Sequence, residues 1–318
     1  MKSIYLSDDI VSIKNVYSDY IEDASIYTKE DILSNLSSFK ECEVIFSTWG
    51  MPLFEKEEIE NFFPNLKAIF YSAGSVQSFA RPFLESGVRV FSAYSANAVP
   101  VVEFALSEII LANKGFFRAI KKKSTREDIS GYKGNFNTTL GIVGAGMIGS
   151  LLIEKLRSFD FQVLVYDPFL SDSRADSLNV KKVSLEEIFS QCQVVSNHLA
   201  DNEGTKGIFN KPLFELMPPY ATFINTGRGR QVLESDLIEV LEKRPDLTAV
   251  LDVTYPEPPL EDSILYSVDN CIITPHIAGS MGEEVKRMAK FMKEEFLRYA
   301  KGEECKYEVT MDMLKTMA

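Results

Sequence analysis

The chain has 318 residues, and its 34 Lys and Arg against 46 Asp and Glu leave a formal net charge of −12. So acidic a chain argues against a nucleic-acid partner, which needs Lys and Arg clustered on one face. The one dense basic run, 121–123, reads as a solvated helix end. With 45% hydrophobic and 25% charged residues, the composition is that of a globular protein and not of a disordered chain. No apolar run approaches the ~20 residues of a bilayer span; the longest, 104–112, is interrupted by Ser107 and Glu108. The N-terminus turns acidic at Asp8 and Asp9, unlike a secretory signal. Cys42, Cys192, Cys271 and Cys305 are isolated, with neither metal-type nor disulfide-framework spacing. A soluble, reduced, cytoplasmic protein of about two domains is expected, with no metal site and no membrane partner.

In chain order, 43–47, 66–71 and 88–91 read as strands. Pro100 stands where a first-turn proline would open a helix running to about 113. The stretch 139–143 reads as a buried strand and 147–158 as a helix. Further strands follow at 162–166, 193–196, 221–225, 247–251 and 271–274. Apolar strands alternating with helices predict a parallel sheet covered on both faces. Ser280-Met281-Gly282-Glu283 has capping-box spacing and predicts a second long helix ending near Gly302. The expected fold class is α/β, with two doubly wound domains. Residues 1–100 with 281–318 form the smaller, discontinuous one, 101–280 the central one, and the cleft between them is the natural ligand site.

Gly144-Ala145-Gly146-Met147-Ile148-Gly149 follows a predicted strand and opens a predicted helix, and Asp167 closes the next strand. Gly144 permits the tight turn, Gly146 the approach of a pyrophosphate to the backbone, and Gly149 close helix–strand packing. Asp167 would accept hydrogen bonds from the adenosine ribose and repel a 2′-phosphate. Pro168, Phe169 and Leu170 bring no cation, so NAD is expected rather than NADP. Asn225-Thr226-Gly227-Arg228-Gly229-Arg230 also ends a predicted strand. A glycine-flanked guanidinium suits a planar anion such as a carboxylate; Arg228 and Arg230 compete for the role, and Arg228 lies nearer the strand end. The chain has two histidines, so a histidine acid/base is His198 or His276. The structural reading applies first to His198. For His276, the proline-framed Glu257 offers a carboxylate that would fix the tautomer and stabilise imidazolium.

The ordered set of Gly144, Gly146 and Gly149, Asp167, His198-Leu199, Asn225-Thr226-Gly227-Arg228-Gly229, Leu251-Asp252-Val253 with Glu257, and Thr274-Pro275-His276-Ile277-Ala278-Gly279 resembles the D-isomer-specific 2-hydroxyacid dehydrogenases. Asn97-Ala98-Val99-Pro100-Val101-Val102-Glu103 and Ser72-Ala73-Gly74-Ser75-Val76 extend the match from about 72 to 288. The resemblance implies a central Rossmann NAD domain, a flavodoxin-like substrate domain and a small 2-oxo or 2-hydroxy acid as substrate. It implies that Arg228 binds the substrate carboxylate, that His276 exchanges the proton with the substrate oxygen, and that Glu257 supports His276. Gly74 and Ser75 would also meet the substrate. NAD would be held by Gly144, Gly146, Met147, Ile148, Gly149, Asp167, His198, Thr205, Thr226, Gly227, Asp252 and Gly279, with Asp252 at the nicotinamide carboxamide. A homodimer through the NAD domain is implied, with 116–137 as its arm. Because the sequence ends soon after the second long predicted helix, the C-terminal regulatory domain of serine-regulated phosphoglycerate dehydrogenases is not expected. Val76, Ala200, Gly227 and Arg230 depart from the family's usual Asp, Pro, Ala and small residue. The competing reading is a non-catalytic NAD(H)-sensing protein of the same fold.

Overall fold

The computed structural model describes residues 1–21, 25–121, 125–127 and 129–315. The chain divides into two compact units, Met1–Ala98 with Ser280–Ala318, and Val99–Gly279. Lys122 and Lys123 of the basic run, and part of the 116–137 arm, lie outside the described residues.

The first unit holds strands β1 (Ser3–Leu6), β2 (Ile26–Tyr27), β3 (Val44–Ser47), β4 (Ala68–Tyr71) and β5 (Arg89–Ser92). The second holds β6 (Thr139–Val143), β7 (Gln162–Tyr166), β8 (Lys181–Lys182), β9 (Val194–Asn197), β10 (Thr222–Asn225), β11 (Thr248–Leu251) and β12 (Cys271–Ile273), and the chain returns to the first with β13 (Glu308–Val309). The first sheet runs β13-β5-β4-β3-β1-β2, parallel except for β13. Every residue of β3 and β4 is buried, as expected of central strands covered on both faces. Phe70 stacks on Phe91 with centroids 4.7 Å apart. Arg89 clamps Glu308 with two hydrogen bonds, of 2.7 and 2.6 Å, holding β13 against β5.

The second sheet runs β12-β11-β10-β9-β6-β7-β8 and is wholly parallel. Its order reverses between β6 and β9, where Val143 pairs with Asn197. Parallel α/β sheets bind ligands beyond the carboxyl ends of the strands at such a switch point. Gly144 and His198, the next residues along each strand, are therefore where a ligand is to be sought.

Two helix starts differ from expectation. The first long helix is Tyr94–Ala112, with Pro100 inside it. Proline has no N–H to give the Ala96 carbonyl and its ring crowds that carbonyl, so the helix passes through Pro100 at the loss of that bond. By length and composition this helix could cross a membrane. Here Ala96, Val101, Val102, Ala105 and Ile109 are buried in the protein core, while Glu103 is exposed. The second helix is Glu284–Lys301, closed by Gly302 at φ +71°. Glu284, one residue beyond the expected capping residue, takes the Met281 N–H at 2.9 Å. Among the described residues the buried Ser280 hydroxyl has no partner and caps nothing; its N–H donates to Asn97 Oδ1.

Candidate active site

At the switch point the chain leaves β6 through Gly144, whose φ is +97°. A Cβ there would stand 2.7 Å from the His198 carbonyl, and one on Gly149 would stand 1.9 Å from Gly144 O. Both positions therefore exclude a side chain. Gly146 differs, with nothing within 4 Å of a Cβ. It opens the Met147–Leu156 helix with no side-chain cap, so the first-turn N–H groups of Met147 and Ile148 face an open glycine surface suited to an anion. Asp167, just past β7, accepts the Ala145 N–H at 2.7 Å on Oδ2 and the Phe169 N–H at 2.7 Å on Oδ1. The carboxylate thus also ties the glycine loop to β7. One cation escaped the sequence reading of this corner: Lys182 Nζ donates to the Leu170 carbonyl at 2.6 Å.

His198 directly follows β9, with its ring buried. Nε2 lies 2.9 Å from Ser196 Oγ and Nδ1 3.3 Å from Thr226 Oγ1. Burial lowers its pKa to about 4, so the ring is neutral at physiological pH and both nitrogens are engaged. The Thr205 hydroxyl donates to the Ala200 carbonyl at 2.9 Å.

After β10 the chain turns through Gly227-Arg228-Gly229. Arg230 pairs with Asp201 at 2.6 Å and Glu203 at 2.9 Å, whereas Arg228 makes no ion pair among the described residues. Its guanidinium, half-buried, bonds the Gly227 carbonyl at 2.7 Å and no other group among the described residues. Of the two arginines in the motif, Arg228 is the one available to an anion. A Cβ on Gly229 would stand 2.0 Å from the Thr254 carbonyl, so the arginine turn presses on the loop that follows β11.

That loop carries Asp252 and Glu257. Asp252 is 2% exposed, and its carboxylate accepts Thr274 Oγ1 at 2.6 Å and the N–H groups of Ile277 and Ala278 at 2.8 and 2.9 Å. Its carbonyl takes the His276 N–H. Asp252 thereby holds the turn in which His276 sits at φ +54°, a conformation non-glycine residues seldom adopt and one that surrounding bonds must impose. His276 Nδ1 lies 2.5 Å from Glu257 Oε1. The loop is anchored by Glu234 Oε1, which accepts the Tyr255 N–H at 2.7 Å. A cavity of about 560 Å³ opens beside the pair, lined among others by Lys121, Thr254, Tyr266 and Ile272. Gly279 follows, half-buried.

In the other unit, the carbonyls of Ala73 and Gly74 accept Ser92 Oγ at 2.9 and 2.7 Å, which fixes the loop of Gly74 and Ser75. Val76, in place of the family's Asp, is fully buried in the apolar core. Trp49 is 37% exposed. Sequence reasoning gave no role to Asn197, Asn225 and Gln231, which are fully buried beneath the arginine turn; Asn197 and Asn225 each end an apolar strand, the one signal they share, and Gln231, in the turn Gly229–Gln231, carries none.

Residues 112–278, just over half of the chain, match the NAD binding domain of the D-isomer specific 2-hydroxyacid dehydrogenases. The chain belongs to this family. NAD is accordingly the cofactor, and the open Gly146 surface, the free helix start and Asp167 fit its pyrophosphate and ribose. The D-3-phosphoglycerate dehydrogenase of Bacillus subtilis is 33% identical over 221 residues, 68% of this chain and 42% of that protein. The chain thus spans less than half the length of that relative. The (S)-sulfolactate dehydrogenase of Chromohalobacter salexigens is 32% identical over 210 residues, 64% of this chain and 68% of the relative. Among solved structures, Rhodotorula graminis D-mandelate dehydrogenase superposes with a TM-score of 0.80 at 19% identity, over 97% of each chain. D-2-hydroxyisocaproate dehydrogenase gives 0.77 at 21% identity, over 98% of this chain and 100% of that one. These two share its fold, a Rossmann NAD domain with a second α/β domain.

Proposed function

We propose that the protein is an NAD-dependent oxidoreductase that interconverts a 2-oxo acid and a D-2-hydroxy acid. The observation that carries this reading is the 2.5 Å contact between His276 Nδ1 and Glu257 Oε1, in a loop packed against the turn of an unpaired Arg228. A carboxylate on one ring nitrogen fixes the imidazole tautomer and leaves Nε2 free for proton transfer.

When bound, NADH supplies the hydride, to C2 of the acid. Arg228 binds the substrate carboxylate through its guanidinium and draws charge from the 2-oxo group. His276 gives its Nε2 proton to the substrate oxygen during reduction and takes it back during oxidation. Glu257 stabilises the imidazolium, and Asp252 holds the turn that presents it. Gly74 and Ser75 offer backbone N–H groups to the carboxylate. Thr226, Gly227, Thr205 and His198 shape the cofactor side, and Asp167 selects NAD. Small acids such as glyoxylate, hydroxypyruvate or pyruvate are the proposed substrates, the protein acting in the cytoplasm as a homodimer formed through the NAD domain.

The test is the loss of NADH absorbance against a panel of 2-oxo acids, with NADPH in parallel. At least one acid should be reduced, and Arg228→Ala and His276→Ala should each nearly abolish turnover while NADH still binds. Tight NADH binding without turnover on any acid would favour a sensor instead, and near wild-type rates in both variants would overturn the assignment.

A further inference from the structure

We propose that Gln231 is a positioning residue for Arg228 and, with Asn197, sets the affinity of the site for the substrate carboxylate. This rests on the role proposed above for Arg228. A Gly-Arg-Gly turn has almost no side-chain bulk with which to fix its own backbone, so something else must aim the guanidinium. Three fully buried side-chain amides lie beneath it. Gln231 Oε1 accepts the Arg228 N–H at 3.1 Å, and Asn225 Nδ2 donates to the Arg228 carbonyl at 3.3 Å. Asn225 Oδ1 accepts the Gly227 N–H at 3.0 Å. The arginine N–H is therefore held by a side chain rather than by a strand, and its carbonyl by the Asn225 amide together with the Gln231 backbone N–H, also at 3.3 Å.

The amides also fix one another. Asn197 Nδ2 donates one hydrogen to Asn225 Oδ1 at 2.8 Å and the other to Gln231 Oε1 at 2.7 Å. Asn197 Oδ1 takes the Leu199 N–H at 3.0 Å. Gln231 Nε2 donates to the carbonyls of Leu199 and Ala200 at 3.2 and 3.0 Å, so the arginine turn is registered against the segment that follows β9. A satisfied buried network of this kind admits one geometry. It also accounts for Gly227, where the family more often carries Ala. A Cβ there would stand 2.6 Å from Asn197 Nδ2 and 2.7 Å from Gln231 Oε1. The glycine and the two amides are one device, with the amides filling the space an alanine methyl would take.

The test compares Gln231→Leu with the double variant Asn197→Leu/Gln231→Leu, in which Asn197 Nδ2 no longer faces an apolar side chain but the Arg228 and Leu199 N–H groups both lose their side-chain acceptors. Both variants should melt below the wild type, since buried backbone groups lose their partners, and NADH binding shows that they remain folded under assay conditions. In both variants KM for the best 2-oxo acid, and Kd for oxamate on the NADH-bound protein, should rise about tenfold, a loss of ~1.4 kcal/mol. The Kd for NADH should stay within about twofold. Amide hydrogen exchange should quicken across 226–231 in either variant, a readout independent of turnover. A double variant with wild-type KM, oxamate affinity and exchange would reduce the network to a fold element and overturn the proposal. Quickened exchange in a protein whose wild type neither reduces a 2-oxo acid nor binds oxamate would leave Gln231 positioning Arg228 and sink the proposed activity instead.

Discussion

Gly229 lies so close to Thr254 that a Cβ built on it would stand 2.0 Å from the Thr254 carbonyl carbon and oxygen. One residue before Gly229 is Arg228, and three residues after Thr254 is Glu257, the partner of His276. Two loops leaving adjacent parallel strands, β10 and β11, are thus pressed together backbone to backbone. No side-chain rotation relieves a clash with a main-chain carbonyl, so Gly229→Ala must push the loops apart. A displacement of about 1 Å is enough to cost ~100-fold in rate. The variant should fold, bind NADH and lose about that factor in kcat/KM, measured by steady-state kinetics beside a thermal melt. Wild-type kinetics would mean the two loops need not touch.

Much of this arrangement is legible in the sequence because apolar runs and glycine spacing are local signals. β6 to β12, β8 excepted, stand within a residue or so of where β-branched runs place them. The two-residue strands β2, β8 and β13 are too short to carry a pattern, and β1 carries only Ile4, Tyr5 and Leu6 before the chain turns acidic. Pro100 misleads because proline marks a helix start only when its missing N–H is the reason for its place. The choice between Arg228 and Arg230 is undecidable locally: the acids that occupy Arg230, Asp201 and Glu203, are more than 25 residues away in sequence. Gln231 and Asn197 look like surface amides until tertiary packing buries them.

The His276–Glu257 contact invites a charge test. Glu257→Gln keeps a hydrogen-bond acceptor at nearly the same place and removes the negative charge that stabilises imidazolium. General acid–base catalysis contributes ~100- to 10,000-fold, and losing the partner charge should forfeit the lower part of that range. A fall of about 100-fold in kcat is expected, with little change in KM, since Arg228 binds the acid. The pH–rate profile should narrow as well. An unchanged kcat and profile would remove Glu257 from the chemistry.

Asp167 has two tasks, holding the Ala145 and Phe169 N–H groups and, as proposed, the adenosine ribose. Asp167→Asn keeps the side-chain carbonyl for one backbone donor and removes the charge that repels a 2′-phosphate. NADH affinity should fall about tenfold, while the NADPH-to-NADH ratio of kcat/KM should rise, helped by Lys182 nearby. Isothermal titration with both cofactors checks this, and a wild type that uses NADPH as well as NADH would refute the selectivity argument outright.

Two buried groups outside the proposed proton path should govern stability against pH. Glu108 is buried on the Tyr94–Ala112 helix, and its Oε2 has no partner among the described residues. Desolvation first, and the charge of Asp252 second, raise its pKa to about 8 from an ordinary 4.5. The folded state then holds a proton that the unfolded chain releases above about pH 4.5, so this stability is present in acid and is lost as pH rises through about 8. His198 has the opposite sign. Its pKa is lowered to about 4, so the unfolded chain takes up a proton first, and stability falls as pH drops from about 6.5 towards 4. Each slope is at most ~1.4 kcal/mol per pH unit. Urea unfolding at several pH values separates them. Glu108→Gln should gain on the wild type steadily between pH 5 and 8, and His198→Asn should gain only below about pH 6.5. Stability differences that do not change with pH would mean that neither group is held in the ionisation state its burial imposes.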